Sequence, residues 1–342
     1  MESPLWTTEH APDIDDLPQS EVRESLWGAV EEPMNLVVHG PKGSGKTAAV
    51  RALARETHAD PDNDFVEINV SDFFGMTKKE LSEDPRFESF ITPKRKRESS
   101  KADLINHVLK ESASYAPVSG EYKTVLLDNA EGIREDFQQA LRRVMEQYYE
   151  TTQFVIATRQ PSALIPPIRS RCFPVPMRAP THEETVAVLR DVVEAEDADH
   201  DDDGLEYVAG YADGDLRKAL LGAQTTFEQE GAVTMEAAYE ALGEVGVDDR
   251  IEEMLDDAEA GEFTDARKTL DDLLVEEGFS GEEVLADVLR IAGSRYDADR
   301  MARLHRLAGE IDMDIKEGTS DRIHVSHLLS NLAGGEIPAS QE

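Results

Sequence analysis

Cysteine is almost absent from this 342-residue chain, where Cys172 stands alone. A single thiol excludes an intramolecular disulfide framework and a cysteine-rich zinc site. Apolar runs are short, and none approaches the ~20 residues that a membrane-spanning helix needs. Aromatic residues make up only 6%. Positive charge is scarce: Lys and Arg total 35 against 72 Asp and Glu, a formal charge of −37, and only 12 of the 35 are lysine. The stretch MESPLWTTEHAPD has neither a basic nor an apolar region, so no secretory leader is expected there. What is present suffices for folding. A hydrophobic content of 39% exceeds that of a disordered chain, and the length suggests two or three domains. The expectation is a soluble, cytoplasmic protein.

The acid excess has two readings. It keeps nucleic acid away at long range, or it is an adaptation to a salt-rich cytoplasm. At molar salt the Debye length is about 3 Å, and a diffuse acidic surface repels little. The acid is spread along the whole chain, lysine is rare, and stretches such as 194–203 (EAEDADHDDD) fall between apolar-patterned segments, as solvated loops do. These features favour a halophilic setting.

The first half alternates strand and helix patterns. Residues 35–39 (NLVVH), 65–70 (FVEINV), 124–128 (TVLLD) and 154–157 (FVIA) read as strands, and 46–56 and 135–149 as helices. This alternation implies a parallel sheet covered on both faces. Beyond the proline-rich stretch 161–180 the strand signal fades, and 181–333 reads as helices. Thr181 with Glu184, and Ser280 with Glu283, are capping-box pairs. A hinge is expected near 246–248 and a frayed tail at 334–342.

Gly40, Pro41, Lys42, Gly43, Ser44, Gly45, Lys46 and Thr47 fit G-x-x-x-x-G-K-[ST], between a strand and a helix. Glycines let backbone N–H groups curl around phosphate oxygens, and the helix N-terminus faces the same anion. Lys46 is expected on the β- and γ-phosphates, and the Thr47 hydroxyl on Mg²⁺. Asp128, at the end of a strand, is the candidate second hold on the metal. The next residue, where hydrolytic enzymes of this type carry a water-activating Glu, is Asn129, and an amide cannot take the proton. Glu131 is expected to point elsewhere rather than to substitute.

At these motifs the sequence resembles the small subunits of archaeal and eukaryotic replication factor C, clamp loaders within the AAA+ ATPases. The resemblance covers nearly the whole chain. It rests on GPKGSGKT (40–47), EINVSD (67–72), LLDNAE (126–131), QQALRRVME (138–146), IPPIRSRC (165–172), GDLRKAL (214–220), EEGFSGEEVL (276–285) and IKEGTSDRIHVSHLL (315–329). It implies an α/β P-loop AAA+ parallel-sheet domain (1–178), an all-α lid (179–245) and an all-α collar (246–342). It implies ATP and Mg²⁺ as cofactors. It implies other clamp-loader subunits, large and small, a sliding clamp and primer–template DNA as partners, with no membrane. Arg171 matches the arginine finger that acts on a neighbour's ATP, and Arg217 the lid arginine that senses the γ-phosphate.

Three departures accompany the resemblance. The family's Asp-Glu is Asp128-Asn129 here, its sensor Asn aligns with Arg159, and of its N-terminal Trp-x-Glu-Lys-Tyr-Arg-Pro only Trp6 and Pro12 persist, around His10 and Ala11. The implied function is an ATP-binding subunit that opens the clamp and loads it on primed DNA. The alternative is a nucleotide-binding structural subunit with little hydrolysis of its own that offers Arg171 in trans. A remodelling or initiator ATPase outside clamp loading is a third, weaker reading. For DNA the candidates are Arg142 and Arg143 and the run Lys94, Arg95, Lys96 and Arg97. That run reads equally as a phosphate grip or as a solvated loop balancing nearby acids. Phe73, Phe74, Gly75 and Met76 read as core, with clamp contact as the other option.

Overall fold

The computed structural model describes residues 5–84, 91–242, 247–276, 279–317 and 320–332. The chain divides into two compact units, Met1–Leu242 and Gly243–Glu342.

The first unit is built on a five-stranded parallel sheet of order β2-β3-β4-β1-β5. The strands are β1 (Leu36–His39), β2 (Phe65–Asn69), β3 (Lys123–Asp128), β4 (Thr152–Thr158) and β5 (Phe173–Pro176). Successive side chains leave a strand on opposite faces. Leu36, Val38, Leu126, Val155 and Ala157 meet helices Ser20–Glu31 and Lys46–Thr57 on one face. Val37, Val125, Leu127, Phe154 and Ile156 meet helices Lys101–Ser114 and Glu135–Gln147 on the other. Both faces are thus covered, which is why the central strands read as continuous apolar runs. Because the sheet is parallel, the C-terminal ends of β1, β3 and β4 open on one edge, where ligands of open α/β sheets bind.

Two features depart from the sequence reading. β5 lies inside the proline-rich stretch. Pro174 and Pro176 are tolerated there because β5 is an edge strand, paired only with β1. Asp199–His200 and Ala232–Val233 form a two-residue parallel bridge within the otherwise helical segment. The acidic stretch 194–203 is correspondingly ordered: the Asp201 side chain accepts from the Gly204 N–H and caps helix Asp202–Ala212.

Helices His182–Ala195, Asp202–Ala212, Leu216–Glu230 and Met235–Leu242 share a core that includes Leu189, Leu205, Val208 and Ala223. Trp6 is buried in that core. Its backbone N–H donates to Gln224 Oε1 (3.0 Å), and its ring lies 5.8 Å from the Phe227 ring. The Thr181–Glu184 and Ser280–Glu283 capping boxes both form. Phe73 is buried, Phe74 meets Phe137 edge-on at 5.1 Å, and Phe74 and Met76 pack partly exposed against the same core, while Gly75 is exposed. Lys94 to Arg97 lie on a short helix, Pro93–Glu98, where Lys96 pairs with Glu83 at 3.2 Å.

The second unit is all helical: Val247–Ala260, Phe263–Asp271, Gly281–Arg295, Ala298–Glu317 and Asp321–Ser330, with a π-helical turn at Asp272–Glu276. Ile251, Leu255, Leu270, Val288, Leu304 and Leu328 are among its fully buried residues. Part of the expected hinge, Gly246, and the tail 334–342 lie outside the described residues. Among the described residues no helix is long and apolar enough to cross a membrane.

Candidate nucleotide-binding site

β1 ends at His39, and residues 40–45 wrap back to helix Lys46–Thr57. Two glycines carry the turn through left-handed backbone, Gly43 at φ +72° and Gly45 at φ +94°. Gly40 is fixed differently. A Cβ there would stand 1.8 Å from the Met177 carbonyl oxygen, so no side chain fits between the loop and the end of β5. The Gly40 N–H donates to the Thr158 carbonyl (3.3 Å), tying the loop to the end of β4.

Lys46 folds over this loop, and its Nζ donates to the carbonyls of Gly40 (3.0 Å) and Pro41 (2.5 Å). Burial holds its pKa below the usual lysine value. The Arg159 charge acts in the same direction, against the carboxylates of Asp128, Glu131 and Asp215. Thr47 Oγ1 donates to Asp128 Oδ2 (2.8 Å), and Asp128 Oδ1 accepts from the Asn129 N–H (2.9 Å). Asn129 sits at φ +52°, a conformation that Asn tolerates better than most side chains do.

These residues line one cavity of about 440 Å³. Lys42 to Thr47, Asp128, Asn129, Arg159 and Arg217 all reach it. Its remaining wall is more apolar, with Pro12, Leu17, Pro18, Val188, Val192 and Leu220. His10 also lines it, its Nε2 in hydrogen-bond contact with Glu196 Oε1. The volume and the mix of walls suit a small organic anion. The residues fit a magnesium–nucleotide. The loop is shaped for backbone approach, and Thr47 and Asp128 already meet as the pair that would hold the metal. Among the described residues no group of three His, Cys, Asp or Glu could hold a metal ion, so further ligands would come from phosphate or water.

The structure therefore brings together the loop, Thr47, Asp128, Asn129, Arg159 and Arg217. Arg171 lies apart from this cavity, on the turn after the short helix Pro166–Arg169. It donates to Glu146 Oε1 and to the Pro167 carbonyl, both at 2.6 Å. Next to it, burial pushes the Cys172 thiol up to about 12.

Sequence reasoning missed one residue, Asp215, and the role of another, Glu131. Asp215 caps helix Leu216–Glu230, and its carboxyl lies where a Gly43 side chain would go; the Leu216 N–H also donates to the Gly43 carbonyl (3.0 Å). Glu131 stays out of the cavity lining, as expected, yet it is not idle. It accepts from Thr158 Oγ1 (3.2 Å), the Arg159 N–H (3.2 Å) and Arg159 Nε (2.6 Å). Burial opposes its charge, but these bonds and the Arg159 guanidinium hold its carboxyl below the usual range. The only available signal was the coincidence of a non-family Arg at 159 with an acid at 131.

Comparisons with known proteins agree with this geometry. Residues 36–177 match the ATPase family associated with various cellular activities (AAA), and residues 247–331 match the replication factor C C-terminal domain. The replication factor C small subunit of Halobacterium salinarum is 30% identical over 96% of each chain. That of Sulfurisphaera tokodaii is 33% identical over 96% of this chain and 95% of its own. Among solved structures, the Thermotoga maritima RuvB Holliday junction branch migration motor superposes with a TM-score of 0.51 at 14% identity, covering 79% of this chain and 81% of that one, a likeness of fold. With relatives this similar over nearly the full length, the chain belongs to the replication factor C small subunits, AAA+ ATPases of the clamp loader.

Proposed function

We propose that this chain is an ATP-binding small subunit of a heteromeric clamp loader, which opens the sliding clamp and places it on primed DNA. Its own site holds ATP and turns it over slowly, and Arg171 serves the site of a neighbouring subunit. One observation carries this reading. Where a hydrolytic site needs a base beside the attacking water, the cavity presents the Asn129 amide.

The division of labour follows from the chemistry. The loop N–H groups and Lys46 bind phosphate oxygens. Mg²⁺, held by Thr47 and Asp128, would screen phosphate charge. Arg217 reaches the same cavity from the helical segment and couples that segment to the phosphates. Arg171 is exposed, away from the cavity, and pairs with an exposed carboxylate, Glu146, which it can leave at little cost. Arg142, Arg143 and the run Lys94–Arg97 are the candidate DNA contacts. The acid-rich, lysine-poor surface suits a salt-rich cytoplasm. There counterion release contributes little to DNA affinity, so enclosure by the ring must hold the DNA.

The test is ATP binding and hydrolysis in molar KCl by the chain alone and with its partner subunits, beside Arg171→Ala. Tight binding, negligible turnover alone, and partner-dependent turnover lost in the variant support the proposal. Robust turnover by the chain alone overturns it.

A further inference from the structure

We infer that Glu146 is a positioning residue for Arg171: it holds that side chain folded back on its own subunit and lets it go by passing to Arg142. The inference rests on the reading that Arg171 serves the site of a neighbouring subunit.

Arg171 sits on a turn that pins its backbone. Its N–H donates to the Ile168 carbonyl (2.9 Å), and the next residue, Cys172, packs partly buried against the core. The side chain is then turned back twice. Nη1 donates to the Pro167 carbonyl and Nη2 to Glu146 Oε1, both at 2.6 Å. With both terminal nitrogens bonded to its own chain, the guanidinium has to let go before its fork can meet a phosphate elsewhere.

Glu146 is placed so that it needs a cation. It lies in the last turn of helix Glu135–Gln147, where the free carbonyls carry partial negative charge, and no basic residue shares that turn. Two arginines compete for it. The Oε1 that accepts from Arg171 also lies 3.7 Å from Arg142 Nε. Arg142 precedes Glu146 by four residues, and Arg before Glu is the weaker order for such a pair on a helix. The resting carboxylate therefore sides with Arg171. Yet Arg142 Nε is buried and has no hydrogen-bond partner. One unsatisfied donor thus waits within reach of the carboxylate. When Arg171 leaves, Glu146 can close on that donor. One ion pair replaces another, and a buried N–H gains a partner. Release then costs less than breaking an isolated pair. The exchange also withstands salt: at molar salt the Debye length is about 3 Å, so groups in contact still attract while distant charges do not.

The test is steady-state ATP turnover by the assembled ring, in molar KCl and without DNA, with this chain as wild type, Glu146→Gln, Arg142→Met or both. Glu146→Gln should raise kcat for partner-dependent turnover by up to about fivefold, the ceiling for an exposed pair. KM for ATP should stay unchanged, because no nucleotide contact is altered. Arg142→Met removes the alternative partner and should lower kcat about twofold. The double variant should behave as Glu146→Gln alone, since without the carboxylate Arg142 has nothing to take over. Two independent structural defects would instead multiply. Calorimetric ATP titration of each variant chain alone should match wild type, which also shows that the variants are folded. A kcat that falls or stays unchanged in Glu146→Gln overturns the holding role. Effects that multiply in the double variant overturn the exchange with Arg142. Partner-dependent turnover that survives Arg171→Ala overturns the reading of Arg171 itself.

Discussion

The nucleotide cavity has two polar walls made in different ways. The phosphate loop is a wall of main chain: Gly40 lies against the Met177 backbone, which leaves no room for a Cβ, and Gly43 holds a left-handed backbone beneath Asp215. The wall at the ends of β3 and β4 is one of side chains, with Asp128, Asn129 and Arg159, and Glu131 behind them. A wall of backbone is held by steric exclusion and changes at the expense of the fold. A wall of side chains can exchange its chemistry while the strands beneath stay put. The strand that carries it, β3, has a buried charge at each end. Asp128 faces the cavity. Lys123 is satisfied internally, donating to the Tyr115 carbonyl (2.6 Å) and lying 3.1 Å from the centre of the Tyr115 ring.

This contrast breaks if substitutions on the two walls have similar effects. The largest effect is expected for Gly40→Ala. The new methyl group must displace the Met177 backbone, so the variant should lose about 3 kcal/mol or more in denaturant unfolding. A loss below ~1 kcal/mol would show that the loop wall yields. Lys46→Ala comes next. It should weaken ATP binding by about 100-fold in titration calorimetry while the unfolding midpoint barely moves.

Lys123 sharpens the comparison from the other end of β3. Burial lowers its pKa to about 8, against the pull of Asp64, from an ordinary lysine value of 10.5. Between those values the unfolded chain binds the proton and the folded chain does not, so stability should rise with pH above 8. The slope is at most about 1.4 kcal/mol per pH unit. Above about 10 the rise should reverse. Burial raises the pKa of Tyr115 and Tyr122, and stability held by a neutral phenol is lost as pH climbs through that range. Urea unfolding from pH 7.5 to 9.5 checks this, and Lys123→Met should flatten the curve. Asn129→Glu should have the smallest effect on folding, a loss of about 1 kcal/mol, because Glu is less at ease at positive φ. The same variant should raise ATPase activity in the assembled ring, and no change there would count against a silent site.

The loop wall was legible because its motif is a local string whose spacing is set by the phosphates. β1, β3 and β4 were legible because burial on both sides writes continuous apolar runs, and the half-buried edge strand β2 because its apolar and polar residues alternate. Asp128 followed from its place at a strand end. β5 was not legible, since Pro174 and Pro176 hide an edge strand. The Glu131–Arg159 pair was beyond sequence reasoning for a different reason. The residues lie 28 apart, and only the adjacency of β3 and β4 brings them together. Asp215 over Gly43 is a longer-range case of the same limit. Helix ends, by contrast, were read correctly at Thr181 and Ser280, where the cap and its partner are three residues apart.

The burial of Trp6 has a practical consequence. The chain holds only two tryptophans, and the other, Trp27 on helix Ser20–Glu31, donates its ring N–H to Asp15 in the turn before that helix. Trp6 lies among helices His182–Ala195, Asp202–Ala212 and Leu216–Glu230, in a segment that continues through the cavity-lining residues His10 and Pro12. Any shift of those helices against the segment changes the surroundings of one indole out of two. Replacing Trp27 by Phe would leave a single emitter at that joint, an optical gauge of helical-segment movement already written into the chain, with no dye and no label.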